Sequence, residues 1–327
     1  MNVLFIGGSG IISSACAALA VERGIDLTLL NRGRTDFRPV PAAAEVIHAD
    51  VRDPAAAAEA LRGRTFDAVV DWIAFTTDHI ATDLELFRGR VGQFIFISSA
   101  SAYQKPPAQL PITEETPLDN PFWQYSRNKI ACEEMLLAAY RDEGFPVTIV
   151  RPSHTYDATL LPFHGGYTTL DRLRRGKPIL VHDDGESLWT LTHHRDFARA
   201  FVPLLGEPRA IGEAYHITSD EVLTWNEIAR LLGEAAGVTP NIAHVPSAVV
   251  AEYDEHFGDS LLGDKSHNTY FDNSKIRSIV PGFAAEIPFA EGAREIVAWY
   301  DAHPEARRVN ADFDALLDRI IADKEEK

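Results

Sequence analysis

Cysteine is nearly missing from this chain: Cys16 and Cys132 are the only two among 327 residues. A disulfide framework is therefore excluded as the source of stability, and a reducing compartment is expected. No apolar run approaches the ~18 residues that a membrane-spanning helix needs. Basic residues are in deficit, 31 against 48 acidic ones, and the net charge of −17 repels phosphate polymers and anionic membranes. Neither nucleic acid nor a membrane is an expected partner. Internal repeats and Gly/Ser linkers are also lacking, so a second domain must be woven from the later segments of the same chain. Met1 leads directly into the apolar residues 3–6, without the basic and long apolar regions of a secretory leader, and the cytoplasm is the expected location.

What the chain does contain is an alternation of short β-rich runs with helix-like stretches. VLFI, LTLL, EVIHA, AVVDWI, QFIFIS and PVTIV follow one another within the first 150 residues. The runs are almost unbroken in their apolarity, as in parallel strands covered on both faces, and the pattern predicts an α/β doubly wound sheet. After Arg151 the order loosens into short apolar stretches and isolated helices. Thr224 with Glu227 reads as a capping box ahead of Ile228, Leu231 and Leu232. Phe313, Leu316, Leu317, Ile320 and Ile321 form an apolar stripe at helical spacing, which predicts an amphipathic C-terminal helix over 306–327 that docks on its own chain or on a second subunit.

The first strand runs into Gly7-Gly8-Ser9-Gly10-Ile11-Ile12-Ser13 and then an Ala-rich helical stretch. Strand, glycine turn and helix in this order let backbone N–H groups and the positive helix end approach a pyrophosphate, which is the form of a dinucleotide site. Ser13 stands where such turns carry a third glycine, and its small size preserves helix-to-strand packing. The second strand ends on Asn31, Arg32, Gly33 and Arg34 rather than on an acidic residue. An amide and two guanidiniums suit a 2′-phosphate, so NADP is preferred over NAD, with Arg32 as the contact and Arg34 left in solvent. Asp50 falls where a side chain reaches adenine or, equally, caps the turn before Pro54.

The fifth run ends in a serine cluster, Ser98 to Ser101, and Tyr125 and Lys129 share one face of an apparent helix. An ammonium ~4 Å from a phenolate at an effective dielectric near 20 contributes about 4 kcal/mol, enough to lower the tyrosine by roughly three pKa units. On this expectation Tyr125 becomes a base near neutral pH.

With these residues in hand, the chain resembles the extended short-chain dehydrogenase/reductases, the NAD-dependent epimerase/dehydratase family, over nearly its whole length to Tyr300. The resemblance rests on Gly7, Gly10, Asp50, Ser99, Tyr125, Lys129, Arg151-Pro152, the Gly185 to Asp196 stretch, Asp272 to Lys275 and Trp299-Tyr300. It implies a Rossmann-type domain over 1–155, with returning segments near 190–220 and 265–275, and a smaller mixed substrate domain largely over 156–305. It also implies that Ser99 holds the reacting oxygen, Tyr125 moves the proton and Lys129 holds the nicotinamide ribose. Cofactor contacts are implied at Gly7, Ser9, Gly10, Ile11, Ile12, Asn31, Arg32, Asp50, Val51, Ala74, Tyr125, Lys129, Pro152 and Ser153. The implied chemistry is hydride transfer at a carbinol carbon of a sugar or nucleotide sugar, as epimerase or reductase.

Departures from the family pattern narrow this. Ala100 and Ser101 replace the acidic pair of 4,6-dehydratases, which disfavours dehydration. Trp189 and the pair Leu261-Leu262 stand where two diphosphate-binding arginines are usual, so a UDP-type substrate is in doubt. Lys265 is a candidate substitute, whereas Arg172, Arg174 and Arg175 read as solvated helix surface. Ser101, His154, Trp123 and Trp189 are the candidate substrate contacts, the tryptophans by stacking on a sugar ring or else by core packing. His193-His194 has no ligand spacing, and no metal is expected. Homodimers through the helix bearing Tyr125 and Lys129 are common in the family. The alternative reading is a non-catalytic NAD(P)-binding regulatory or RNA-binding relative, which the retained Tyr/Lys pair and the acidic charge oppose.

Overall fold

Six parallel strands form in the order in which the sequence presents them: β1 (Asn2–Ile6), β2 (Asp26–Asn31), β3 (Glu45–His48), β4 (Phe66–Asp71), β5 (Val91–Ile97) and β6 (Val147–Pro152). The computed structural model describes residues 1–33 and 38–326, so Arg34 lies outside the described residues. A seventh strand, Ala214–Ile217, returns from the later half of the chain to pair parallel with β6. The sheet order places β6, β5 and β4 on one side of β1, and β2 and β3 on the other. The chain therefore reverses its winding at β1, and a crevice opens at the carboxyl ends of β1 and β4. Both faces are covered: helix α1 (Ile11–Glu22) and residues 194–201 pack on one, and helices α2 (Pro54–Ala60), α3 (Thr77–Phe87) and α4 (Gln124–Glu143) lie on the other. Strand β3 departs from the two-sided pattern: it is the sheet edge, and three of its four residues are exposed.

The remainder of the chain builds a second apolar core around Tyr156, Leu170, Trp225, Ile228 and Ile296. Its strands are short pairs, Ile179–His182 with Ile242–Val245 and Leu188–Trp189 with Leu223–Thr224. The Thr224–Glu227 capping box is present, with the Thr224 hydroxyl accepting from the Glu227 N–H and the Glu227 carboxylate from the Thr224 N–H. Cys16 and Cys132 are buried, free thiols in α1 and α4.

The C-terminal helix, Ala311–Glu326, docks on its own chain: Phe313, Leu317, Ile320 and Ile321 are buried against Val245, Val250, Phe257 and Leu261. Arg172 overturns the expectation of a solvated side chain. It is fully buried beneath this helix and pairs with Asp314 at 2.5 Å and Asp318 at 2.9 Å, contacts supplied from far along the chain and so invisible in the local pattern. Gly165 shows how close the approach is, because a Cβ there would lie 2.1 Å from the Phe313 ring.

Candidate active site

The glycine turn after β1 forms one wall of a cleft of about 830 Å³, within the ~300–1,000 Å³ range of small-molecule sites. Gly7 and Gly8 both take positive φ, and at Gly8 a Cβ would sit 2.8 Å from Leu29, so the chain can turn here only without side chains. The Gly10 N–H donates to the Ser13 hydroxyl at 2.8 Å, and no side chain caps the first turn of α1. That leaves first-turn amides and the positive helix end for an anion. The cleft walls include Gly7, Ser9, Gly10, Ile11, Ile12, Asn31, Arg32, Asp50, Val51, Pro152 and Ser153. A turn free of side chains at Gly7, Gly8 and Gly10, beside an uncapped helix start on the cleft wall, fits a dinucleotide pyrophosphate.

Ala74, an expected cofactor contact, does not itself line the cleft. Ile73 and Phe75 line the cleft, while Ala74 is fully buried. Its carbonyl accepts from the Lys129 ammonium at 2.6 Å, with the Ile97 carbonyl as second acceptor at 2.8 Å. Asp71 shapes that turn by accepting from the Ile73 and Ala74 N–H groups at 2.6 and 2.8 Å. At the other end of the cleft Asn31 accepts from the Gly33 N–H, and Arg32 pairs loosely with Asp50 at 3.8 Å while both remain exposed. Asp50 also closes its own turn onto the Arg52 N–H, and Asp53 is the residue that caps α2.

Ser99, Tyr125 and Lys129 come together on the cleft wall. Ser99 and Tyr125 also line a second cavity of about 410 Å³, whose walls carry Ser101, Trp123, His154, Trp189 and Asp264. The electrostatics of the pair differ from the expectation of a phenol lowered by a nearby ammonium. The Lys129 nitrogen stands 5.9 Å from the Tyr125 ring centroid and is turned to two carbonyls and the Phe75 and Phe96 rings. Burial dominates both groups. It pushes the phenol up to about 12, against a hydrogen bond from Ser99, with the Asp264 carboxylate raising it further. Burial also pulls Lys129 down to about 8, opposed by the Asp71 carboxylate. The Tyr125 phenol is thus held in its protonated form at neutral pH rather than as a preformed phenolate.

The substrate candidates separate. Ser101 is buried and holds the Ser99 hydroxyl at 2.9 Å while accepting from Ser126 at 2.7 Å. Trp189 is only 2% exposed, and its ring packs 5.5 Å from that of Trp225, so core packing outweighs an open stacking face. Trp123 is partly exposed and faces both the second cavity and a third one beyond it.

Residues 3–218 match the NAD dependent epimerase/dehydratase family. The chain belongs to that family. The 2′-dehydrokanamycin reductase of Streptomyces kanamyceticus is 26% identical over 86% of this chain and 80% of its own length. The chloroplast stem-loop binding protein of 41 kDa b from Arabidopsis thaliana is 26% identical over 74% of this chain, but the match spans only 65% of that protein. The solved UDP-glucose 4-epimerase of Bifidobacterium longum, in complex with NAD+ and UDP, superposes with a TM-score of 0.74 at 19% identity. It covers 94% of this chain and all of that one, a likeness of fold.

Two features of this family member were not foreseen. Lys105, 3% exposed, pairs with Asp264 at 3.0 Å beneath the second cavity, joining segments 159 positions apart, a juxtaposition with no local signal. Phe75 places an exposed ring 6.4 Å from that of Tyr125 and 4.6 Å from the Lys129 nitrogen. Its position two residues after Trp72-Ile73, at the end of a predicted strand, was the available signal.

Proposed function

We propose that this protein is a nicotinamide-dinucleotide-dependent reductase or epimerase acting at a carbinol carbon of a sugar or a related polyol. The observation that carries the reading is that Ser99 and Tyr125 stand on the wall common to the glycine-lined cleft and the second cavity, with Lys129 behind them. The dinucleotide would be held by Gly7 to Ile12 at its pyrophosphate and by Lys129, Pro152 and Ser153 toward its nicotinamide end. When bound there it supplies the hydride donor or acceptor.

The chain's own residues manage the proton. Tyr125, protonated at neutral pH, gives its proton to the oxygen of a carbonyl being reduced, and takes it back in the reverse direction. The Ser99 hydroxyl orients that oxygen. Lys129, charged and held on two carbonyls, offsets the negative charge left on the phenol. A protonated tyrosine and the similarity to a 2′-dehydrokanamycin reductase support the reductive direction. NADP is favoured by Arg32, whose exposed, loose pair with Asp50 a 2′-phosphate can displace. The convergence of Ser99, Tyr125 and Lys129 on one cleft and the net charge of −17 speak against the RNA-binding alternative.

The test is titration with NADP(H) and NAD(H), followed by incubation with free and nucleotide-linked sugars under joint absorbance at 340 nm and product NMR. Dinucleotide binding with turnover that is lost in Tyr125→Phe is the expected result. Binding of neither dinucleotide would overturn the reading.

A further inference from the structure

Beyond the reaction cavity lies a third one, of about 280 Å³, which shares Trp123, His154 and Lys265 with it. Its walls are rings from four separate segments: Phe163, Trp225, Phe257 and Phe313, with His164 stacked on Phe257 at 4.3 Å. The C-terminal helix closes one side through Phe313 and Leu317, so the stripe noted in the sequence is a wall of this cavity as well as a packing surface.

The charges around it are sparse. Among the described residues that line it there is no carboxylate and no arginine, and Lys265 carries the one ammonium. Its ammonium donates to the Ser260 carbonyl at 3.3 Å and lies 5.6 Å from the Trp123 ring centroid. Burial lowers its pKa, and burial holds His154 and His182 neutral, down to about 3 and 4. Seating a diphosphate here means stripping water from at least two negative charges against a single ammonium already disfavoured by burial, a penalty such a site does not recover. A polycation fares no better without a carboxylate. A dry apolar cavity of ~150 Å³ accepts a benzene ring, so about 280 Å³ accommodates one or two rings.

We propose that this cavity receives an uncharged aromatic or apolar substituent carried next to the carbinol that Tyr125 handles, and that the substrate is not a nucleotide-diphosphate sugar. The proposal rests on the hydride-transfer reading for the position of the carbinol, and the cavity's occupant is tested by binding alone.

The experiment uses the full chain saturated with whichever of NADP+ or NAD+ binds. Dissociation constants are measured by calorimetry for 4-nitrophenyl β-D-glucopyranoside, methyl β-D-glucopyranoside and UDP-glucose. The aryl glucoside is expected to bind about tenfold or more tightly than the methyl glucoside, with UDP-glucose no tighter than the methyl compound. An aryl glucoside that binds no better than the methyl one, including no binding of either, overturns the proposal, as does tightest binding by UDP-glucose. Phe257→Ala and Phe313→Ala approach the cavity from two different elements. Each is expected to cut the aryl advantage below about threefold while the dinucleotide affinity, which also reports a folded chain, is unchanged. An aryl advantage that survives in a variant retaining dinucleotide affinity places the ring elsewhere and overturns the assignment. Failure of the hydride-transfer reading shows separately, as turnover persisting in Tyr125→Phe.

Discussion

The Trp189 indole N–H donates to Nδ1 of His154 at 3.1 Å. An indole has no acceptor, so Nδ1 must carry the lone pair and the imidazole proton must sit on Nε2. His154 lines both the reaction cavity and the ring-lined cavity, and it is therefore a neutral donor where the substrate would lie. Trp189, whose indole the sequence offers either for stacking or for core packing, sets the tautomer of its neighbour.

His154 is accordingly expected to stay unprotonated well below the usual imidazole range, because burial pulls its pKa down to about 3 and the Lys265 charge lowers it further. Nitrogen-15 NMR of the imidazole should show the Nε2–H tautomer from pH 8 to pH 5. Protonation with a midpoint near the free-imidazole value of ~6.5 would contradict this.

Tyr125→Phe should lower kcat by about 10²–10⁴-fold, the usual contribution of a positioned general acid. Dinucleotide affinity should change little, since the ring and its packing against Phe75 and Trp123 remain. Wild-type turnover in this variant would remove Tyr125 from the chemistry.

Arg32→Ala should weaken NADP+ binding by about tenfold and leave NAD+ binding nearly unchanged, because a 2′-phosphate is the one group that distinguishes them there. Equal losses for both dinucleotides would mean that Arg32 does not read the phosphate.

Glu133 and Arg151 form a buried pair, with Arg151 Nε and Nη2 both donating to the carboxylate, at 3.0 and 2.5 Å. Glu133→Ala leaves a guanidinium buried between α4 and β6 without its anion and should cost about 3–5 kcal/mol of stability in urea denaturation. A loss below ~1 kcal/mol would show that the pair is dispensable.

Acid should destabilise the protein between pH 6.5 and about 4. Burial lowers the pKa of His182, His193 and His216, each to about 4, so in this window the unfolded chain binds protons that the native state refuses. The stability present above pH 6.5 is lost as pH falls toward the folded values, by as much as roughly 3 kcal/mol for each fully buried imidazole. Urea midpoints at pH 7.5, 6 and 5 should decline steadily, and a flat profile would refute the argument.

The readable part of this protein is its local order. Strand, glycine turn and helix lie consecutively from Asn2 to Glu22, and Tyr125 and Lys129 are one helical turn apart, so backbone preference and side-chain periodicity are enough to find them. Side-chain environment was not readable. Lys129 looked like the partner that makes a phenolate, yet its ammonium is drawn off by carbonyls of Ala74 and Ile97, residues from two other strand ends. Arg172 looked solvated on its own helix and is buried by aspartates 142 and 146 positions away. The ring-lined cavity joins segments from Trp123 to Leu317 that share no sequence signal. Backbone preference acts over a few neighbouring residues and leaves a trace in the chain, whereas desolvation and ion pairing depend on which distant surfaces meet, and that is settled only by packing.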